Sequence, residues 1–419
     1  MHYNFTTPLI FRKFAEQPKI TIMAFKPADK IQDLQYFGEF GGVNPSISDS
    51  STYTFLSAKT MFDTFEGNAD GCYLYSRHST PSNLYLGQAL AAMEGTETAN
   101  VAASGMGAIT PAILQLCKAG NHIVSSRTIY GGTYAFFKNF LPKFNITTNF
   151  VDTTNMELVK KAITPNTKII YCETMSNPML EISNIAALSK LAKEHNCKLV
   201  VDNTFSPMIF SPAEMGADIV VHSMTKFING MSDCVAGCIC GTKEFIDSLS
   251  DVNNGASMLL GPVLDSFRSA GILKNLRTLH IRMKQHSANA LHIASKLDQN
   301  GFKITYPGLA NHPQHELMKT TYNEEFGFGG LFVIDMKTKE RANVLMEEMQ
   351  NNNVGYLAVS LGSYKTLFSA PGGSTSSEIP EEERKQIGLT EGLVRVSIGL
   401  DNNAERTYQV IKQCLDKVS

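Results

Sequence analysis

Long apolar runs are missing from this chain. None approaches the roughly 18 residues that a membrane-crossing helix needs, so no membrane partner is expected. Charge of one sign is missing as well. Lysine and arginine total 37 against 39 aspartates and glutamates, a formal charge of -2, and this balance offers no strong field to nucleic acid or anionic lipid. The eight cysteines include no CxxC pair and sit mostly in apolar or helical stretches, as reduced thiols do in a cytoplasmic protein. Cys238 and Cys240 alternate in the manner of a strand, and no histidine pair lies nearby, so a strand core is expected there and no metal site. There is no internal repeat and no low-complexity tract. Chemistry on a small molecule is what these absences leave.

With 419 residues, 43% of them hydrophobic, the chain is long enough for two or three structural units. Between about residues 85 and 245, helix-like segments alternate with short β-branched runs at 99–103, 122–125, 145–151, 167–172, 198–201, 219–222 and 236–240. That alternation predicts an α/β fold with a mostly parallel central sheet wrapped by helices. Within 185–194, Ile185, Leu188, Leu191 and Ala192 share one helical face. Past residue 276 a long polar helix at 279–299 and the segment 327–335 predict a smaller C-terminal α+β domain. Three parts are expected: a leader and extended arm over 1–70, a large domain over 71–275, and a C-terminal domain over 276–419. Residues 1–26 read as a disordered leader, with Met23 a second candidate start.

Lys226 follows the apolar run Val220-Val221-His222 and is flanked by Ser223 and Thr225; Asp202 closes the run Leu199-Val-Val. A pyridoxal 5'-phosphate (PLP) enzyme needs a lysine for the cofactor aldehyde, a carboxylate to keep the pyridine nitrogen protonated, and hydroxyls for the phosphate. All three are here. Asp202 stands at the carboxyl end of its strand, where open α/β sheets bind ligands, and a helix and a strand are expected between it and Lys226. Ser104-Gly105-Met106-Gly107-Ala108 precedes a helix candidate at 108–117, placing backbone amides where a phosphate can bind. A nicotinamide-binding turn is the rival, but position 110 is threonine and no acid follows about 20 residues on. Tyr130, before Gly131-Gly132, offers a ring to stack on a cofactor, and Arg77 a planar fork for a phosphate. Arg395 is a cation inside an apolar strand candidate, which favours a partner such as a substrate carboxylate.

Over roughly residues 50–419 the chain resembles the cystathionine and methionine metabolism family of fold type I PLP enzymes. The resemblance is carried by Tyr75-Ser-Arg77, Ser104-Gly-Met-Gly-Ala108, Tyr130-Gly-Gly-Thr133, Glu173-Thr-Met-Ser-Asn177-Pro178, Val201-Asp-Asn-Thr204, His222-Ser-Met-Thr-Lys226 and Ser360-Leu-Gly362. The segments Phe205–Pro212, Met258–Pro262, His312–His315 and Gly373–Ser377 resemble the plant-type methionine γ-lyases within it. This implies a PLP-dependent transferase-like fold and a role for each matching position. Lys226 would hold PLP, Asp202 would pair with its nitrogen, and Tyr130 would stack on its ring. Gly105, Met106, Ser223 and Thr225 would bind the phosphate, joined by Tyr75 and Arg77 from a neighbouring subunit. Arg395, Asn177 and Ser360 would take the carboxylate of an amino-acid substrate. The implied assembly is at least a dimer, and a homotetramer in most of the family.

The implied reaction is γ-elimination on L-methionine or a related sulfur amino acid, giving 2-oxobutanoate, ammonia and a thiol. Lys226 would move protons, and Tyr75 or Tyr130 would protonate the departing thiolate. Alternatives are γ-replacement, cystathionine γ-lyase activity, and a non-catalytic PLP-binding protein. Three positions depart from the pattern. Gly132 stands where bacterial and protozoal methionine γ-lyases carry a reactive cysteine, Met231-Ser232-Asp233 replaces a frequent His-Gly-Asp, and Thr80 replaces a frequent asparagine.

Overall fold

Seven of the chain's β-branched runs pair into one sheet, described by a computed structural model that covers residues 25–69, 71–373 and 378–418. The strands are β1 (Thr98–Ala102), β2 (His122–Ser126), β3 (Thr147–Val151), β4 (Thr167–Glu173), β5 (Lys198–Asp202), β6 (Ile219–Ser223) and β7 (Gly237–Gly241). Their order is β1-β7-β6-β5-β4-β2-β3. β7 runs antiparallel to both of its neighbours, and every other pairing is parallel. Both faces are covered, as parallel strands require. In β6, Val220 packs into one core with helix Pro81–Glu94, while Ile219 and Val221 pack into another with helix Gly105–Leu116.

Helix boundaries follow local chemistry. Pro81 opens its helix behind the capping hydroxyl of Thr80, and Gly95 closes it at φ 74°. The departure at Thr80 is thus an N-cap. Helix Gly105–Leu116 begins three residues before the expected 108, because the Ser104 hydroxyl accepts the Gly107 amide at 2.8 Å and starts the helix within the glycine turn. Helix Ile185–Glu194 has the expected bounds, with Asn184 as its cap.

Two expectations fail. No helix separates Asp202 from Lys226: residues 203–218 form turns, because Pro207, Pro212 and Gly216 (φ 98°) interrupt any helical run. The N-terminal segment is not wholly extended either. Helices Pro27–Gln32 and Ala58–Phe65 form within it, started by Pro27 and by the Ser57 hydroxyl on the Thr60 amide. The leader up to residue 24, Met23 included, lies outside the described residues, as do residues 374–377.

A second sheet follows, with β8 (Ile304–Thr305), β9 (Leu331–Asp335), β10 (Tyr356–Leu357), β11 (Leu367–Ser369) and β12 (Leu393–Ser397) in the order β10-β11-β12-β9-β8. Helices Leu279–Gln299 and Ala404–Val418 cover one face. Strand alternation decides the rest. Val394 and Val396 enter that small core, whereas Leu393 packs with the large sheet's core and Arg395 hydrogen-bonds across to Asn177. No described helix is long and apolar enough to cross a membrane.

β7 lies close against the turn after β1. A Cβ at Gly237 would stand 2.2 Å from the Ser104 carbonyl oxygen and 2.9 Å from the Gly105 Cα. Both are backbone atoms that cannot step aside without moving the turn. Gly237→Ala is therefore expected to cost about 3 kcal/mol of stability, read as a lowered midpoint in thermal unfolding.

Candidate active site

The carboxyl ends of β4, β5 and β6 deliver Glu173, Asp202 and Ser223 to one edge of the large sheet. Lys226 follows in a turn, its amide donating to the Ser223 carbonyl at 3.2 Å. Its Nζ donates to Ser360 Oγ at 3.0 Å. Burial, with Arg395 as a second cation nearby, lowers the Lys226 amine to about 8. Arg395 is 1% exposed and donates to Asn177 Oδ1 at 2.8 Å, and to the Ser360 carbonyl and Ser369 Oγ at 3.3 Å. Burial lowers it to about 10, so it stays cationic at neutral pH. Among the described residues no carboxylate forms an ion pair with it. A dry guanidinium facing only neutral partners suits a carboxylate brought in from outside.

Asp202 is 7% exposed. Its Oδ1 accepts the Thr204 amide at 2.9 Å, and its Oδ2 accepts the Tyr171 hydroxyl at 3.4 Å. Burial raises its affinity for a proton, opposed by the Thr204 bonds and the nearby His222 cation. Glu173, its partner in the β4–β5 register, is pushed well above the carboxylate range by burial and by the Asp202 charge. Glu173 holds the loop of the site in place, accepting the Tyr130 amide at 2.7 Å and the Asn177 amide at 2.9 Å. The hydroxyl of Tyr130 is kept protonated by burial and by the surrounding acids Glu378, Asp202 and Glu173.

The glycine turn lies against Ser223. A Cβ at Gly105 would stand 2.8 Å from Ser223 Cβ and 3.1 Å from its Oγ, so only glycine admits this approach. The hydrogen bonds within the chain leave the first amides of this 12-residue helix, those of Gly105 and Met106, without an acceptor beside the Ser223 hydroxyl. Amides, hydroxyl, buried carboxylate and buried amine together fit a phosphorylated aldehyde such as PLP. Thr225 is less free, because its hydroxyl donates to the Ala236 carbonyl at 3.2 Å and accepts the Ala236 amide at 3.0 Å. A cavity of about 560 Å³ adjoins the cluster and includes Thr225 and Ser360 in its lining.

Lys226, Ser360, Arg395 and Asn177 are thus joined by hydrogen bonds; Tyr130 and Asp202 meet through Glu173, and Gly105 and Ser223 through direct contact. Tyr75 and Arg77 stand apart. Arg77 lies 5.8 Å from the Tyr75 ring and beside Gly261, and neither side chain bonds to the cluster within this chain. At the departure Gly132, a Cβ would stand 2.6 Å from Tyr130 Cε1, so the tyrosine ring occupies the space a cysteine would need. At the other, Asp233 accepts from Asn229 Nδ2 at 2.7 Å.

Sequence reasoning gave no role to Glu173, Tyr171 or Arg282. Glu173 carried a signal in its place at a strand's carboxyl end. Arg282 carried none, because the two partners that tie it to the site are backbone carbonyls 55 and 54 residues away in sequence. From helix Leu279–Gln299 its guanidinium donates to the carbonyls of Phe227, Ile228 (2.8 Å) and Asn275 (2.9 Å), fixing the turn that carries Lys226.

The Cys/Met metabolism PLP-dependent enzyme family matches residues 30–415. A methionine gamma-lyase of Arabidopsis thaliana is 42% identical over 401 residues, covering 94% of this chain and 91% of its own. An L-methionine gamma-lyase of Treponema denticola is 38% identical over 385 residues, covering 91% and 94%. Among solved structures, a candidate O-acetylhomoserine (thiol)-lyase of Campylobacter jejuni, carrying N'-pyridoxyl-lysine-5'-monophosphate, superposes with a TM-score of 0.86 at 29% identity. It covers 94% of this chain and 100% of its own.

Removing the Arg282 guanidinium leaves buried carbonyls without donors. Arg282→Met is expected to cost roughly 2–4 kcal/mol, measured as a lowered urea midpoint.

Proposed function

The chain belongs to the Cys/Met metabolism PLP-dependent enzyme family, and from that premise we propose that it eliminates the γ-substituent of L-methionine or a close sulfur amino acid. With one water consumed to replace the amino nitrogen by oxygen, the products are 2-oxobutanoate, ammonia and a thiol, which is methanethiol when methionine is the substrate. One observation carries the reading: the buried amine of Lys226 and the buried carboxylate of Asp202 stand at one edge of the large sheet, and the buried guanidinium of Arg395 reaches that edge from the smaller sheet, meeting Lys226 at Ser360.

In this reading Lys226 holds PLP, Asp202 pairs with the pyridine nitrogen, and Tyr130 stacks on the ring. Gly105, Met106, Ser223 and Thr225 hold the phosphate. When bound, PLP supplies an electron sink for negative charge at the substrate carbons. The guanidinium of Arg395, with Asn177 and Ser360, orients the substrate carboxylate. Lys226 Nζ moves the α-proton and then a β-proton; with its affinity lowered to about 8, the amine both accepts and returns protons near neutral pH. The Tyr130 hydroxyl, kept protonated by burial and by its acidic neighbours, gives its proton to the departing thiolate sulfur, with Tyr75 as the other candidate donor.

Tyr75 and Arg77 are proposed to serve the site of a neighbouring copy in a homotetramer. Arg77 lies beside Gly261 on a surface where Leu259, Leu260, Val263 and Phe267 are exposed, an apolar stretch suited to burial by another subunit. A cytoplasmic setting is supported by eight unpaired cysteines. The second reading, γ-replacement by an added thiol, is favoured by the likeness to the candidate thiol-lyase. The two share every group named so far and differ only in the acceptor.

L-methionine is expected to yield 2-oxobutanoate, with the rate falling at least about a thousandfold in Lys226→Ala. A PLP-loaded protein that forms product only when thiol and an activated homoserine are added would replace elimination with the second reading. Arg395→Leu is expected to raise KM by roughly 10 to 100-fold. PLP uptake by the cofactor-free protein should accelerate as pH rises through about 8, where Lys226 loses its proton, and a rate flat from pH 7 to 9 would count against this lysine as the attachment point.

A further inference from the structure

Glu173, the last residue of β4, is 5% exposed and has no part in that mechanism. Its place is a costly one. The β4–β5 register sets it beside Asp202, and strand alternation puts both carboxylates on one face of the sheet, where Tyr171, two residues before Glu173, also reaches Asp202 Oδ2. Two acids side by side and out of water oppose each other. A carboxylate is an unfavourable choice here unless its oxygens do something a neutral side chain cannot.

Those oxygens accept from two loops at once. Oε1 takes the Tyr130 amide at 2.7 Å, and Oε2 takes the Asn177 amide at 2.9 Å. Each of these backbones fixes a side chain of the site. The Tyr130 ring lies over Gly132, where a Cβ would stand 2.6 Å from Tyr130 Cε1, so the ring goes where the backbone of 130–132 goes. Asn177 Oδ1 accepts Arg395 Nη1 at 2.8 Å, so the aim of that guanidinium follows the backbone of Asn177. A glutamine in place of Glu173 would offer one acceptor oxygen and turn a donor toward the other amide. A carboxylate serves both.

We infer that Glu173 is a positioning residue that couples the two halves of the site: through the backbones of Tyr130 and Asn177, one carboxylate seats the ring-stacking tyrosine and the carboxylate-binding Arg395 in a single arrangement. The inference rests on the roles proposed for Tyr130 and Asn177. Glu173 acts on cofactor and substrate only through those two residues.

The test uses the purified holoenzyme with Glu173→Met and Glu173→Gln, each alone and combined with Tyr130→Ala or Asn177→Ala. Three quantities are measured: the PLP dissociation constant, the thermal midpoint, and the affinity for L-norleucine at saturating PLP, read as a change in cofactor absorption. Norleucine carries the amine and carboxylate of methionine but no leaving group. Glu173→Met removes both acceptors and is expected to weaken PLP and norleucine about tenfold each, the effect of losing a hydrogen bond to a charged group. Glu173→Gln keeps one acceptor and should weaken one of the two by a similar factor. In the Asn177→Ala background Glu173→Met should still weaken PLP but no longer norleucine, and in the Tyr130→Ala background it should still weaken norleucine but no longer PLP, because each effect runs through one residue. If the affinities fall by the same factors in every background, or keep their wild-type values while the thermal midpoint drops, Glu173 is structural and the inference is overturned. Should the methionine variant not fold, the glutamine variant decides on the same terms. If Tyr130→Ala alone leaves PLP affinity unchanged, or Asn177→Ala alone leaves that of norleucine unchanged, the role proposed for that residue fails, and the inference with it.

Discussion

Everything at this site depends on keeping charge dry at the carboxyl edge of a parallel sheet. Glu94, Glu173, Asp202, His222 and Arg395 are each 7% exposed or less, and Lys226 stands among them. Removing an ionised group from water costs several kcal/mol unless fixed partners replace the lost hydration. Here the partners are mostly neutral: amides of Tyr130, Asn177 and Thr204, hydroxyls of Tyr171 and Ser360, and the Asn177 side-chain amide. Neutral dipoles stabilise charge without cancelling it, so the charges remain available to a ligand. A full ion pair occurs in this group only between Glu94 and His222, one strand residue behind the Ser223 hydroxyl.

The two sheets are joined by this same set of bonds. Arg395 of β12 reaches Asn177 after β4, Lys226 reaches Ser360, and Arg282 holds the turn after Lys226 from a helix that packs on the smaller sheet. Because the amine and the guanidinium stand on separate sheets, their separation is set by how the sheets seat on each other. The apolar core containing Leu264, Leu276, Leu331 and Leu393 provides that seat.

Much of this was legible in the sequence, for definite physical reasons. Strands buried on both faces read as continuous apolar runs, and all seven of the large sheet lie within about two residues of their expected bounds. Lys226, Asp202 and Arg395 stood out because each is a charge at or within such a run. What stayed hidden was fixed by atoms distant along the chain. Arg282 bonds to carbonyls 55 and 54 residues away, and Glu94 meets its histidine across 128 residues. Neither leaves a local pattern. The absent helix between Asp202 and Lys226 is a different case: alternation of strands and helices predicts one there, and Pro207 and Pro212 within the segment prevent it.

β12 carries its functional residue in alternation with its packing residues, and that ties its reading frame to two separate outcomes. Val394 and Val396 fill the small core while Arg395 points the other way. Losing or gaining one residue within this strand would turn the guanidinium into that core and carry a valine to the face that meets Asn177. Such a length change would disturb the core and the Asn177 contact together, so the valines can be exchanged for other apolar residues more readily than the segment can change in length.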